Sequence, residues 1–132
     1  MIVGSGIDVT EIARIRASID RFGSHFLNRI FTPGEQAYCL RKKMKAAESF
    51  AARFAAKEAA AKALGTGISR GIGWLEIEVV RAPGERPELR LYGRAAERAQ
   101  SLGVTRSALS LTHTRSEAMA FVLMETEDLR QS

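Results

Sequence analysis

Cysteine occurs once in this sequence, as Cys39, and histidine only twice. A single thiol cannot close an intrachain disulfide or build a cysteine metal cluster, and it is expected as a buried or half-buried group. No run approaches the roughly 18 apolar residues that a membrane span requires. The first ten residues, MIVGSGIDVT, lack the basic start and long apolar stretch of a signal peptide, so a cytoplasmic protein is expected. Aromatics make up only 7% of the chain and do not interleave with the cations as nucleic-acid stacking platforms do. No linker, repeat or low-complexity tract breaks the 132 residues, so one domain, 1–132, is expected, large enough to bury a core.

What is present is positive charge, placed unevenly. Residues 1–62 carry 11 Lys/Arg against 6 Asp/Glu, and the remainder carries 9 of each, so the whole net charge of +5 lies in the first half. The densest patch is RKKMK at 41–45. Such asymmetry suits an anionic partner, whether nucleic acid, an acidic protein or a phosphorylated ligand, or else a solvated basic face.

The texture changes midway. Ile2 to Val9 reads as a strand, with Thr10 a plausible N-cap for a helix from about Glu11 to Arg21 whose stripe is Ile12, Ile15 and Ile19. His25 to Ile30 suits a short helix. Thr32-Pro33-Gly34-Glu35 is a capping box with Pro at the first helical position. An alanine-rich helix should run from near Ala46 to Gly65. Beyond it, LEIEVVR at 75–81 and ELRLY at 88–92 alternate around a turn, Arg94 to Leu102 reads as a helix, and 108–112 and 117–124 flank HTRS as a second hairpin. Helices first and antiparallel strands later make an α+β domain, its sheet packed against the long alanine-rich helix and shorter helices.

The long helix is unusual. Wound at 100° per residue, Phe50, Arg53, Lys57, Glu58 and Lys62 fall within roughly 180° of arc around Phe54, and the opposite arc holds Ser49, Ala52, Ala56, Ala59, Ala60 and Ala63, all small. The small side should lie close against a sheet or helix, leaving Phe54 among charges. Glu58 and Lys62 at i, i+4 also serve helix stability alone. GTGISRGIG, which follows, has more glycine than a C-cap needs and would let backbone approach a ligand. Asp8, ending the first strand, is either a capping carboxylate or a metal ligand. His113, in LSLTHT, is either a satisfied core histidine or a phosphate contact.

GIDVTEIARI at 6–15, FAAKEAAAKALGTG at 54–67 and SLTHT at 110–114 together resemble the holo-[acyl-carrier-protein] synthases, the small 4′-phosphopantetheinyl transferases. The resemblance covers essentially the whole chain. It implies transfer of phosphopantetheine from coenzyme A to a serine of an acyl carrier protein, with release of adenosine 3′,5′-bisphosphate and a role in fatty acid biosynthesis. It implies Asp8 and Glu58 as Mg²⁺ ligands and Lys62 as a contact to the diphosphate. Arg53, Phe54, Lys57, Gly65 and His113 fall in the coenzyme-binding region, with Lys45 the first choice for the 3′-phosphate. It further implies a homotrimer with sites at subunit boundaries and an acidic carrier helix docked on the basic first helix, through Arg14 and Arg21. Two carboxylates without a cysteine or histidine cluster suit Mg²⁺ better than zinc. A metal-bound water, Glu58 and His113 all remain candidates for the general base. The rival class is a small basic nucleic-acid-binding domain, whose affinity would fall steeply with salt and ignore Mg²⁺; the resemblance implies no nucleic acid and no membrane as partner.

Overall fold

The computed structural model describes residues 1–68 and 71–127. The chain opens with strand β1 (Ile2–Glu11), then helices α1 (Ile12–Phe22), α2 (Ser24–Ile30) and α3 (Pro33–Leu40). A single 3₁₀ turn, Lys43–Lys45, leads into the long helix α4 (Ala46–Ala63), and a second, Trp74–Glu76, leads into the β2 (Ile77–Val80) and β3 (Glu88–Leu91) hairpin. Helix α5 (Gly93–Ser101) and strands β4 (Arg106–His113) and β5 (Glu117–Glu125) complete the order. β5 is the central strand of an antiparallel β1-β5-β4 sheet, and β2-β3 forms a separate two-stranded one. The expected α+β architecture is the one observed.

Local signals account for several boundaries. Thr32 Oγ1 accepts from the Glu35 N–H at 3.2 Å while Glu35 Oε1 accepts from the Thr32 N–H at 2.8 Å, so the capping box forms as its sequence requires. Gly65, just past α4, adopts φ 77°, the left-handed conformation that closes a helix cheaply only for glycine. Thr10, in contrast, caps nothing. It extends β1, α1 starts after Glu11 with no side-chain cap, and the Ile12 N–H is met by the Ser116 carbonyl at 2.9 Å. A cross-strand partner satisfied the donor that a cap would have served.

The sheet and α4 meet at contact range because both surfaces are small. A Cβ on Gly4 would overlap the Ala63 carbonyl, and one on Gly6 would overlap that of Ala59. The expected small face is therefore real, and it lies on β1 and β5. The remainder of the arc reading needs correction. Alanines bury α4 on nearly every side, and Phe50 turns inward to tilt against Phe31 at 4.8 Å between centroids. Phe54 is half-buried and stacks on Trp74, with centroids 4.8 Å apart. Cys39 is fully buried, as expected.

Candidate functional site

Pleating puts alternate β1 residues over α4, so Gly4 and Gly6 are followed on the same face by Asp8 and Thr10. Glu58 and Lys62, one turn apart, rise beside Asp8. Lys62 Nζ donates to Asp8 Oδ1 at 3.1 Å and to the Ile7 carbonyl at 2.9 Å. The buried Thr10 hydroxyl donates to Asp8 Oδ2 at 2.9 Å and so fixes the carboxylate. Burial, and next the Asp8 charge, push the Glu58 carboxyl above its usual range; Lys62 and Arg14 offset only part of this. The two acids are thus close enough to interact, with Lys62 paired to Asp8 and Arg14 nearby. Among the described residues no group of three or more His, Cys, Asp or Glu side chains gathers anywhere.

Nearer the start of α4 lies a cavity of about 470 Å³. Tyr38, Lys42, Lys45, Ser49, Arg53 and Arg81 supply most of its polar lining, with Glu48 and His113 at one side. Arg53 is only 4% exposed. Its Nη1 donates to Ser49 Oγ at 3.1 Å and its guanidinium lies 4.1 Å over the Tyr38 ring, but Nε and Nη2 meet no acceptor among the described residues. Burial alone would raise the Tyr38 phenol, yet Arg53, Lys42 and Arg81 outweigh it and bring the phenol below its usual value. His113 Nε2 stands 3.6 Å from Glu48 Oε2. A cationic cavity with two unfilled, desolvated donors is built for an anion.

Ser49 and Glu58 are separated by about 14 Å along the helix axis. His113 faces Ala118 and Asp8 faces Ala120 across β5, so the two lie two strands and two residues apart, roughly 12 Å by strand spacing. Asp8, Glu58 and Lys62 therefore form one cluster, and Lys45, Arg53 and His113 belong to another. Phe54 and Gly65 line neither the cavity nor the cluster's contacts.

Lys57 is a clear correction. Its side chain is fully buried, with Nζ 2.8 Å from Glu35 Oε1, and it donates to the carbonyls of Trp74 at 3.0 Å and Ile77 at 2.5 Å. All three ammonium hydrogens are spent inside the fold, leaving none for a coenzyme. Burial lowers its pKa, and the Glu35 charge opposes that. Arg14 is exposed on α1, close enough to bias Glu58, whereas Arg21 sits in the last turn of α1 with its guanidinium 5.1 Å over the Phe22 ring. Thr10, Tyr38, Ser49 and Arg81 join these sites without any motif in the sequence to mark them; Thr10 fits an N-cap equally well until the strand register is known.

Comparison with known proteins shows the family to which the chain belongs. The family model of the 4′-phosphopantetheinyl transferase superfamily matches residues 4–122. The chain is 54% identical over 125 residues to the holo-[acyl-carrier-protein] synthase of Koribacter versatilis, covering 95% of this chain and 99% of that protein. The corresponding protein of Solibacter usitatus is 51% identical over 125 residues, covering 95% and 99%. Among solved structures, the Helicobacter pylori holo-[acyl-carrier-protein] synthase in complex with coenzyme A superposes with TM-score 0.80 at 32% identity, covering 92% of this chain and 99% of that one. The Neisseria meningitidis enzyme gives 0.83 at 33%, covering 96% and 100%. The chain belongs to the 4′-phosphopantetheinyl transferase superfamily, among the holo-[acyl-carrier-protein] synthases.

Proposed function

We propose that this chain transfers 4′-phosphopantetheine from coenzyme A to a serine of an apo-acyl carrier protein, using Mg²⁺ held by Asp8 and Glu58, and that it does so in the cytoplasm for fatty acid biosynthesis. The observation that carries this reading is Arg53: a buried guanidinium with two donors unfilled among the described residues, on a side chain that lines a cationic cavity beside the helix that also carries Glu58. That arrangement calls for a phosphate-bearing ligand long enough to reach from one cluster to the other. The nucleotide end of coenzyme A meets the requirement.

The donor set fits a hard divalent cation. A carboxyl raised first by burial and then by a neighbouring carboxylate would be relieved by such an ion, and magnesium usually takes one or two carboxylates plus substrate phosphates. When bound, the ion neutralises charge that develops on the transferring phosphoryl group. The residues do the rest. Lys62, 52% exposed at its side chain, can turn its ammonium from Asp8 towards the diphosphate. Thr10 holds Asp8 in place. Lys42, Lys45 and Arg53 hold the nucleotide's phosphate, and His113 sits with them on the nucleotide side. Arg14, beside Glu58, and Arg21 would draw an acidic carrier helix along α1 and bring its serine to the carboxylates.

The homotrimer belongs to the same proposal. The sheet face turned away from α4 exposes Ile7 at 60%, Val9 at 50% and Phe121 at 43%, with Ile7 directly opposite Phe121. Exposed apolar side chains gathered on one face mark an association surface. Ile7→Lys should shift the sedimentation coefficient from trimer to monomer; a monomeric unaltered chain would contradict the assignment.

The test of the reaction is intact-mass spectrometry of an apo-acyl carrier protein incubated with this chain, coenzyme A and Mg²⁺. A gain of one phosphopantetheine that disappears with EDTA supports the reading. Asp8→Ala and Glu58→Ala should each abolish the gain while leaving the fold intact. Unchanged Mg²⁺-dependent turnover in both variants would overturn the site. No gain with several carriers, alongside salt-sensitive and Mg²⁺-indifferent nucleic-acid binding, would favour the basic binding module instead.

A further inference from the structure

The coordination of a cation by Asp8 and Glu58 requires α4 to be set correctly in rotation. At the outer radius of a helix, a turn of about 20° moves a carboxylate about 2 Å, whereas a functional constellation tolerates about 0.5 Å. The surfaces that pack α4 oppose such a turn by close contact but supply few directional bonds to set its angle. Nine of its twelve buried residues are alanine, and β1 meets it through glycines. Methyl groups against bare backbone interlock weakly. Phe50 adds bulk against Phe31 but no direction. Lys62 does cross to β1, yet it is largely exposed and belongs to the site itself.

Lys57 is different. It is fully buried, its three acceptors come from α3, from the Trp74 turn and from the start of β2, and it immediately precedes Glu58 in the chain. Its partner is equally constrained. Glu35 Oε1 also takes the Thr32 N–H of the capping box at 2.8 Å, and Oε2 takes the Val79 N–H at 2.8 Å. Such a pair costs desolvation, and its best-attested use is to fix register rather than to add stability.

We propose that the Glu35–Lys57 pair is a positioning device: it pins the rotation of α4 and thereby sets Glu58 against Asp8. The inference rests on the assignment of those carboxylates as the cation site. Neither Glu35 nor Lys57 touches substrate; both act through Glu58. The effect expected of such a supporting contact is a loss of metal affinity of about tenfold or more.

The experiment measures Mn²⁺ binding by electron paramagnetic resonance in the presence of coenzyme A. It compares the unaltered chain, Lys57→Met, the double variant Glu35→Met/Lys57→Met, and Ala99→Gly, a destabilising control in the core beside α4 but outside the contacts of the pair and of the carboxylates. The double variant leaves no uncompensated ion and so guards against simple unfolding of the single one. The expected result is Mn²⁺ affinity reduced about tenfold in whichever Lys57 variants fold, with Ala99→Gly unchanged. Affinity within about twofold of the unaltered chain in a folded Lys57 variant would overturn the proposal, as would an equal loss in Ala99→Gly. Failure of both Lys57 variants to fold would overturn it too, because the pair would then be a requirement of the fold and not a setting of the site. Absence of Mn²⁺ binding by the unaltered chain would instead remove the underlying cation site.

Discussion

Arg53 and Lys57 stand one turn apart on the same helix, and both are almost wholly buried. Lys57 spends every hydrogen on protein acceptors; Arg53 leaves two nitrogens without one among the described residues and lines a cavity. Burial of a cation therefore does not reveal its purpose, but the state of its hydrogen bonds does. A satisfied buried cation holds structure together, while an unsatisfied one beside open space is waiting for an anion.

The sharpest way to break this contrast is to truncate both. Lys57→Ala leaves Glu35 charged, buried and unpaired, and should cost about 3–5 kcal/mol of stability, read as a lowered denaturation midpoint. Arg53→Met should do the reverse. It removes a buried charge that forms no ion pair among the described residues, so its unfolding midpoint should stay near or above that of the unaltered chain. Its coenzyme affinity should instead drop about 10- to 100-fold, the equivalent of about 1.5–3 kcal/mol for lost charge-assisted bonds. Equal stability losses in the two variants would dissolve the distinction.

A smaller effect concerns the carboxylates. The folded pKa of Glu58 lies above its ordinary value because of burial and then Asp8, with Lys62 and Arg14 opposing. A raised acid pKa means that its contribution is fully present below the unfolded value and is lost as pH rises through the folded one. Metal-free protein should thus lose stability slightly between those two values, and Glu58→Gln should flatten that slope in a pH series of thermal midpoints. Metal binding should weaken over the same acidic window, because the ligand must shed its proton.

Much of this was legible beforehand. The Thr32–Glu35 capping box, the glycine closure at Gly65 and both hairpins follow from local chemistry that tertiary contacts had no reason to override. The grouping of Asp8, Glu58 and Lys62 was legible only through the family resemblance: helical spacing pairs Glu58 with Lys62, but Asp8 by itself reads equally as a cap, and only the register of β1 against β5 sets it on the face that meets α4. The fates of Lys57 and Phe54 were not legible. Helical angle places Lys57 between Phe50 and Arg53, and nothing in the helix itself says that Glu35, 22 residues earlier, will be waiting to neutralise it. Phe54 is drawn to Trp74, a residue beyond the glycine segment, for the same reason. Thr10 looked like a cap because its spacing fits one; only the sheet register shows that its hydroxyl reaches Asp8.

The most direct test of the account is calorimetric titration of adenosine 3′,5′-bisphosphate into the unaltered chain and into Arg53→Met, alongside the thermal midpoints of both. The account predicts binding weakened by at least about tenfold with an undiminished midpoint. Equal affinity in the two proteins would show that the unfilled guanidinium is not where the nucleotide is held.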